Sequence, residues 1–268
     1  MVVQHNLTAM NTNRQLGLTT SAQAKSTEKL SSGYKVNRAG DDAAGLTISE
    51  KMRSQIRGLN KASENAQNGV SLVQTAEGAL NEAHAILQIA TQAANDTNTT
   101  ADRGAIKKEL TQLSTELTRI SSTTQFNTMN LLDGKFTAKN LQVGALAGQK
   151  ITISIKTMSA TALGVKDDEL KVSTFVLAGS TMTKIQKAIS QVSAQRSDLG
   201  AVQNRLEYTI NNLNTTSENT SAAESLIRDT DMASEMVNYS KNQILAQAGQ
   251  SMLAQANSSN QGVLSLLQ

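Results

Sequence analysis

The chain has no proline, no cysteine and no tryptophan, and three Tyr and three Phe are the only aromatics among its 268 residues. Average usage would supply about 13 prolines. None is present to kink or stop a long helix. Without cysteine there is neither disulfide nor thiol chemistry, whatever the compartment. A thick globular core draws large buried areas from aromatic rings. Here Ala, Leu, Ile, Val and Met must do that work, which suits thin layers of helix on helix. No run approaches the roughly 18 consecutive apolar residues of a membrane span, so no membrane partner is expected. The first residues lack the basic-then-apolar order of a cleaved secretory signal. Export would need a route without one.

Residues for chemistry are equally sparse. His5 and His84 are the only histidines, far apart and without cysteine partners, so a zinc site lacks its usual ligands. Phosphate-binding glycine loops, dinucleotide fingerprints and nucleophile elbows are all missing. Asp41-Asp42 lacks the later Glu and the spacing of a calcium loop, and reads as a helix cap or structural loop. Asp229, Asp231 and Glu235 cluster where the last helix begins, where carboxylates favour the helix terminus without doing acid–base work. The net charge is +3, with a basic excess in the first 40 residues. Those basic residues are scattered and not interleaved with aromatics, which reads as a solvated face and not a nucleic-acid surface. No catalytic, cofactor-binding or metal residue is assigned, and an enzyme is not expected.

What is present is periodicity. Residues 1–36 place Val3, Leu7 and Met10, then Leu18 and Ala22, at helical steps. Residues 232–268 do the same with Leu245, Ala248, Met252 and Ala256, then Val263, Leu266 and Leu267. Neither stripe has a core of its own. Two such stripes at opposite ends of one chain pack on each other or on other copies, which points to an assembly subunit. Between them, Ser31-Ser32-Gly33-Tyr34 and the stretch Asn37 to Gly45 form a glycine-rich break. Met52, Leu59, Ala66, Val73, Leu80 and Leu87 recur every seven residues in a long helix over about 46–94. A capping pattern at Thr99 and Asp102 opens a second, antiparallel helix over 101–121. The period then shortens to two. Leu141 and Val143, then Ile151, Ile153 and Ile155, predict a hairpin turning at Ala147-Gly148. Residues 157–180 are mixed in pattern, and a third long helix is expected from about 181 to 222. The fold class is mainly α: a long antiparallel helical rod with both termini paired, plus one small β-hairpin at about 138–156. Residues 1–40 with 225–268 are expected to form a discontinuous terminal coiled-coil domain, and 41–224 the rod of three long helices.

These residues resemble bacterial flagellin. Gln4-His5-Asn6-Leu7 with Ala9, Asn11 and Arg14 is similar to the family's opening. Leu30-Ser31-Ser32-Gly33 through Asn37, then Asp41-Asp42-Ala43-Ala44-Gly45-Leu46, is similar to its most specific motif. Gln74 to Leu80, Thr124 to Asn127, Leu199 to Leu206 and the closing Gln243 to Leu267 follow in family order. The resemblance implies a helical homopolymer, the bacterial flagellar filament, outside the cell. It implies export in an unfolded state through the type III flagellar pathway. It further implies an export chaperone at the C-terminal helix, and filament cap and hook-junction proteins as partners. Self-assembly falls to Val3, Leu7, Met10, Leu18, Leu245, Ala248, Met252, Val263, Leu266 and Leu267. Gly33, Asn37, Asp41, Asp42 and Gly45 form the loop between domains. Only 157–180 occupies the place of the outer domains of larger members, so this resembles a minimal form. A hook–filament junction protein with flagellin-like ends is the alternative reading.

One segment departs from the pattern. Leu87, Gln88, Ile89 and Gln92 stand where the family usually has about four more residues, roughly one helical turn. The Arg and Glu lost there belong to a surface recognised by the vertebrate Toll-like flagellin receptor. Recognition by that receptor is therefore expected to be weak or absent.

Overall fold

The structure is a computed structural model that describes residues 6–95 and 100–266; the side chains of 95, 100–101 and 260–266 are left undescribed. Val3, Thr99 and Leu267 lie outside the described residues. Among those described, five α-helices follow one another: α1 (Leu7–Ser32), α2 (Ala43–Asn95), α3 (Thr100–Thr123), α4 (Phe175–Arg228) and α5 (Met232–Leu266). Four short strands lie between α3 and α4: β1 (Gln125–Phe126), β2 (Met129–Asn130), β3 (Lys139–Gln142) and β4 (Lys150–Ile153). They form two separate antiparallel pairs. The fold is mainly α, as the periodicities predict.

The chain divides into two compact units. One comprises Met1–Ser54 and Asn219–Gln268, and the other Gln55–Glu218.

In the second unit the heptad positions of α2 are the core. Ala66, Val73, Leu80 and Leu87 are buried, and Ala76, Ala83 and Ala90 are buried beside them. Leu110 and Leu117 of α3 join the same cluster, as do Ile185, Val192, Leu199 and Leu206 of α4. The small Ala positions let helices approach closely, so Leu and Val from all three fill one seam. The β3–β4 hairpin pairs Leu141 with Ile151 and Lys139 with Ile153. It lies on α2 at two glycines. A Cβ at Gly58 would stand 2.9 Å from Ala145 Cβ, and one at Gly69 would overlap Leu141 Cδ2.

Three features of this unit were not foreseen. The β1–β2 turn places Asn127 and Thr128 at φ 48° and 64°, the left-handed pair of a tight hairpin. The stretch 157–180 packs Met158, Ala160, Leu163, Val165, Leu170 and Val172 into the main core, although their spacing is irregular. Finally, α4 begins at Phe175 and not near 181. Thr174 Oγ1 accepts the Leu177 N–H at 3.3 Å and so caps the helix earlier than the apolar stripe starts. Two polar residues of α4 are also buried. Thr181 Oγ1 donates to the Lys171 carbonyl (2.9 Å) and accepts its N–H (3.1 Å). Gln195 accepts the Lys156 N–H (3.3 Å) and donates to the Ser154 carbonyl (3.4 Å), extending the hydrogen bonding at the edge of the hairpin. Burial is tolerated because each polar group is bonded.

Candidate assembly surface

The first unit is built on α1 and α5. Asn6 caps α1 by accepting the Ala9 N–H at 3.0 Å. Its side-chain amide donates to the Ala256 carbonyl, also at 3.0 Å. Farther along, a Cβ at Gly249 would stand 3.3 Å from Leu16 Cδ1. Lys29 Nζ meets Glu235 Oε2 at 3.8 Å. Rising numbers in α1 thus meet falling numbers in α5, so the two helices run antiparallel.

The facing residues recur at alternating steps of three and four. From α1 they are Ala9, Thr12, Leu16, Thr19, Gln23 and Ser26, all half-buried or buried. From α5 they are Tyr239, Asn242, Ala246, Gly249, Leu253 and Ala256. This is a heptad seam, in which small and polar residues outnumber the bulky Leu16, Tyr239 and Leu253. The bulky members of the apolar stripes read from the sequence point elsewhere, while Ala22 is half-buried and Ala256 lies in the seam. Leu7, Met10, Leu18, Leu245 and Met252 are between 47% and 69% exposed, and Ala248 is exposed with them. Ile244 and Val237 extend the exposed apolar face of α5. Val263 and Leu266 continue α5 in backbone, but their side chains are outside the described residues. Leu226, at the end of α4, is also almost fully exposed. The terminal helices therefore present two faces each: a thin seam satisfied within the chain, and a bulky apolar face with no cover.

The loop between α1 and α2 fixes where this pair ends. Gly33, at φ 75°, terminates α1 in the left-handed conformation that a Cβ disfavours, its N–H on the Lys29 carbonyl at 2.8 Å. The chain then forms an isolated antiparallel bridge, Tyr34 to Asp229. Lys35 N–H donates to the Arg228 carbonyl at 2.6 Å, and Thr230 N–H to the Gly33 carbonyl at 3.0 Å. The Arg228 guanidinium lies 4.6 Å over the Tyr34 ring, a cation–π contact. Asn37 Nδ2 donates to Ser32 Oγ at 2.8 Å. Asp41 accepts the Arg38 and Asn37 N–H groups, at 3.1 and 3.3 Å. These backbone donors, the Arg38 bond foremost, hold its carboxyl below the usual range, aided by the Lys25 and Arg38 charges and opposed by desolvation. Asp42 Oδ1 accepts the Gly45 N–H at 2.8 Å and caps α2. A Cβ at Gly45 would overlap that carboxylate, so the glycine makes room for the cap. All five loop residues belong to the first unit. Asp231, before α5, acts likewise: its Oδ1 accepts the Ala233 and Ser234 N–H groups at 2.9 and 3.2 Å.

The segment Leu87–Gln92 lies within α2 in the second unit. Leu87 is buried in the core, while Gln88, Ile89 and Gln92 are exposed. Gln88 Nε2 is 3.1 Å from His84 Nε2, one turn earlier.

Among the described residues no group of His, Cys, Asp or Glu is arranged to hold a metal ion, and no helix is long and apolar enough to cross a membrane.

Residues 3–137 match the bacterial flagellin N-terminal helical region, and residues 182–267 match the bacterial flagellin C-terminal helical region. The chain is 50% identical to the flagellar filament 31.3 kDa core protein of Treponema maltophilum and 50% identical to a flagellin of Halalkalibacterium halodurans, each match covering 100% of both chains. The chain belongs to the bacterial flagellin family. A flagellin of Bacillus subtilis is 48% identical, again over 100% of both chains. The crystal structure of Bacillus cereus flagellin covers 60% of this chain and 94% of its own, with 29% identity and a TM-score of 0.47. Flagellins are structural proteins, not enzymes.

Proposed function

We propose that this chain is the structural subunit of an extracellular bacterial flagellar filament and that the outer faces of its terminal helices drive polymerisation. The observation that carries this reading is the split of the two helices. Their seam is thin and internally satisfied, whereas Leu7, Met10, Leu18, Ile244, Leu245 and Met252 remain in water. Contiguous exposed apolar surface marks an interaction site, and copies of the same chain supply a complementary one by helical repetition. Val3, Val263, Leu266 and Leu267 continue that face in the proposal, and residues 1–40 with 225–268 act as the assembly domain. The loop from Gly33 to Gly45 holds the end of the α1–α5 pair, through the Tyr34 bridge and the Asp41 and Asp42 bonds.

Export through the type III flagellar pathway in an unfolded state fits a chain without disulfides or proline isomers to resolve. Before assembly, the apolar face of α5 would be covered by an export chaperone. At the ends of the filament, the same faces would meet cap and hook-junction proteins. The Toll-like flagellin receptor would bind weakly, because Gln88, Ile89 and Gln92 offer no charged anchor.

The experiment is seeded polymerisation of purified full-length chain, followed by electron microscopy. Long helical filaments are expected. Truncation of residues 263–268 should abolish them while the second unit stays folded by circular dichroism. Normal filaments from that truncation would refute the role given to α5, and growth limited to a short cap on hook structures would favour a junction protein.

A further inference from the structure

Four methionines of α1 and α5 are exposed, Met10, Met236 and Met252 away from the seam and Met232 at the first residue of α5. Met10 of α1 and Met232, Met236 and Met252 of α5 are each about half to two-thirds exposed. Asn6 reaches Ala256 and Leu16 lies on Gly249, so Met10 and Met252 stand at the same level of the pair. The second unit is different. Met158 is sealed in the core, Met182 is half-buried, and Met129 is exposed at the β1–β2 turn.

We propose that Met10, Met232, Met236 and Met252 are oxidation sites that switch off polymerisation of the free subunit, resting on the assembly reading above. A hydroperoxide transfers one oxygen to the thioether sulfur. The S=O bond forms and the O–O bond breaks. Sulfur loses two electrons, and the hydroperoxide is reduced to an alcohol, or to water when it is hydrogen peroxide. The product is a chiral, polar sulfoxide in place of a flexible apolar side chain. In the free subunit it stays solvated and changes little. In the polymer it must be dried against an apolar neighbour, and its oxygen is a buried acceptor without a donor. Oxidation therefore weakens assembly while the core of the second unit is untouched. Assembly in turn shields the sulfurs, so finished filaments resist the oxidant that disables free subunits.

The test treats full-length monomer and finished filaments with dilute hydrogen peroxide and maps sulfoxides by peptide mass spectrometry. Monomer should be oxidised at the four positions and at Met129. Filaments should be protected at the four positions. Oxidised monomer should show a monomer concentration at equilibrium with filament raised by at least about tenfold, the effect of one poorly bonded buried polar group. Methionine sulfoxide reductases of both epimer classes should restore growth. Replacing the four by leucine conserves volume. The growth of this variant is read against its own unoxidised growth, and peroxide should leave it unchanged, whereas Met129→Leu should remain sensitive. Unchanged growth of fully oxidised wild type would overturn the inference, as would a four-leucine variant that loses growth after peroxide. If the four-leucine variant does not polymerise at all, reductase rescue of wild type decides alone. Leu7→Asp separates the two readings. Failure of that variant beside normal growth of oxidised wild type overturns only the oxidation sites, and normal growth of Leu7→Asp overturns the assembly face itself.

Discussion

Leu7→Asp should damage assembly far more than it damages the subunit. Leu7 is the first residue of α1 and is 69% exposed. Full burial of a Leu side chain contributes about 1.5–3 kcal/mol. Most of that surface is still in water, so roughly 1–2 kcal/mol per subunit remains to be gained when a neighbour covers it. Aspartate forfeits the gain and adds a carboxylate that must be dried, protonated or paired, at a cost of several kcal/mol. A total of at least about 4 kcal/mol corresponds to a rise of about 1,000-fold in the monomer concentration at equilibrium with filament. Within the subunit the balance is reversed. The side chain loses little packing, and an acid in the first turn interacts favourably with the helix N-terminus by about 0.3–1 kcal/mol. The monomer melting temperature should shift by less than about 2 °C. Sedimentation of seeded filaments at several protein concentrations measures the first quantity, and a circular dichroism melt measures the second. A melting loss above about 5 °C, or an unchanged equilibrium monomer concentration, would refute the reasoning.

Leu80→Ala is the converse case: Leu80 is fully buried in the second unit, so about 2–5 kcal/mol of stability should be lost, read as an early melt of the isolated monomer. Asp42→Ala removes the cap on Gly45 N–H and should cost about 1 kcal/mol, visible as a lower denaturant midpoint at unchanged slope. The carboxyl of Asp41 is held below its ordinary range by the Arg38 and Asn37 N–H groups, so its contribution is present above the unfolded carboxylate value, near 3.9, and is lost as pH falls through the lower folded value. Melting curves of wild type and Asp41→Asn should differ at neutral pH and converge as pH falls below the ordinary carboxylate range. In a receptor-reporter assay the monomer should signal poorly, and insertion of Arg and Glu-Leu between Gln88 and Ile89 should raise the signal; full activity of the unmodified chain would show that the shortened segment does not matter.

The rod was legible in the sequence because its seams are made of bulky apolar residues. Leu59, Val73, Leu80 and Leu87 can be stabilised only by burial, so a seven-residue recurrence fixes which face of α2 turns inward. The hairpin was equally legible: Ile151 and Ile153 alternate with polar residues, and alternation has one solution when one face is buried. The start of α4 and the role of 157–180 were not, because a side-chain cap at Thr174 and bonds such as Thr181 to Lys171 leave no periodic trace. In the terminal helices the sequence marked an apolar stripe but not the seam, and it put Ala256 in the stripe although that residue faces α1. It could not determine which face the chain spends on itself. Ala9, Thr12, Thr19, Asn242 and Gly249 carry little hydrophobic signal, so the seam that they form with Leu16, Tyr239 and Leu253 leaves only a weak apolar trace. The antiparallel register that seats Leu16 on Gly249 selects that seam, because small residues let two backbones approach where large ones cannot. Only the tertiary structure could leave Leu7, Met10, Leu245 and Met252 outside, since a periodicity fixes the angle between faces of one helix and says nothing of the partner each face receives.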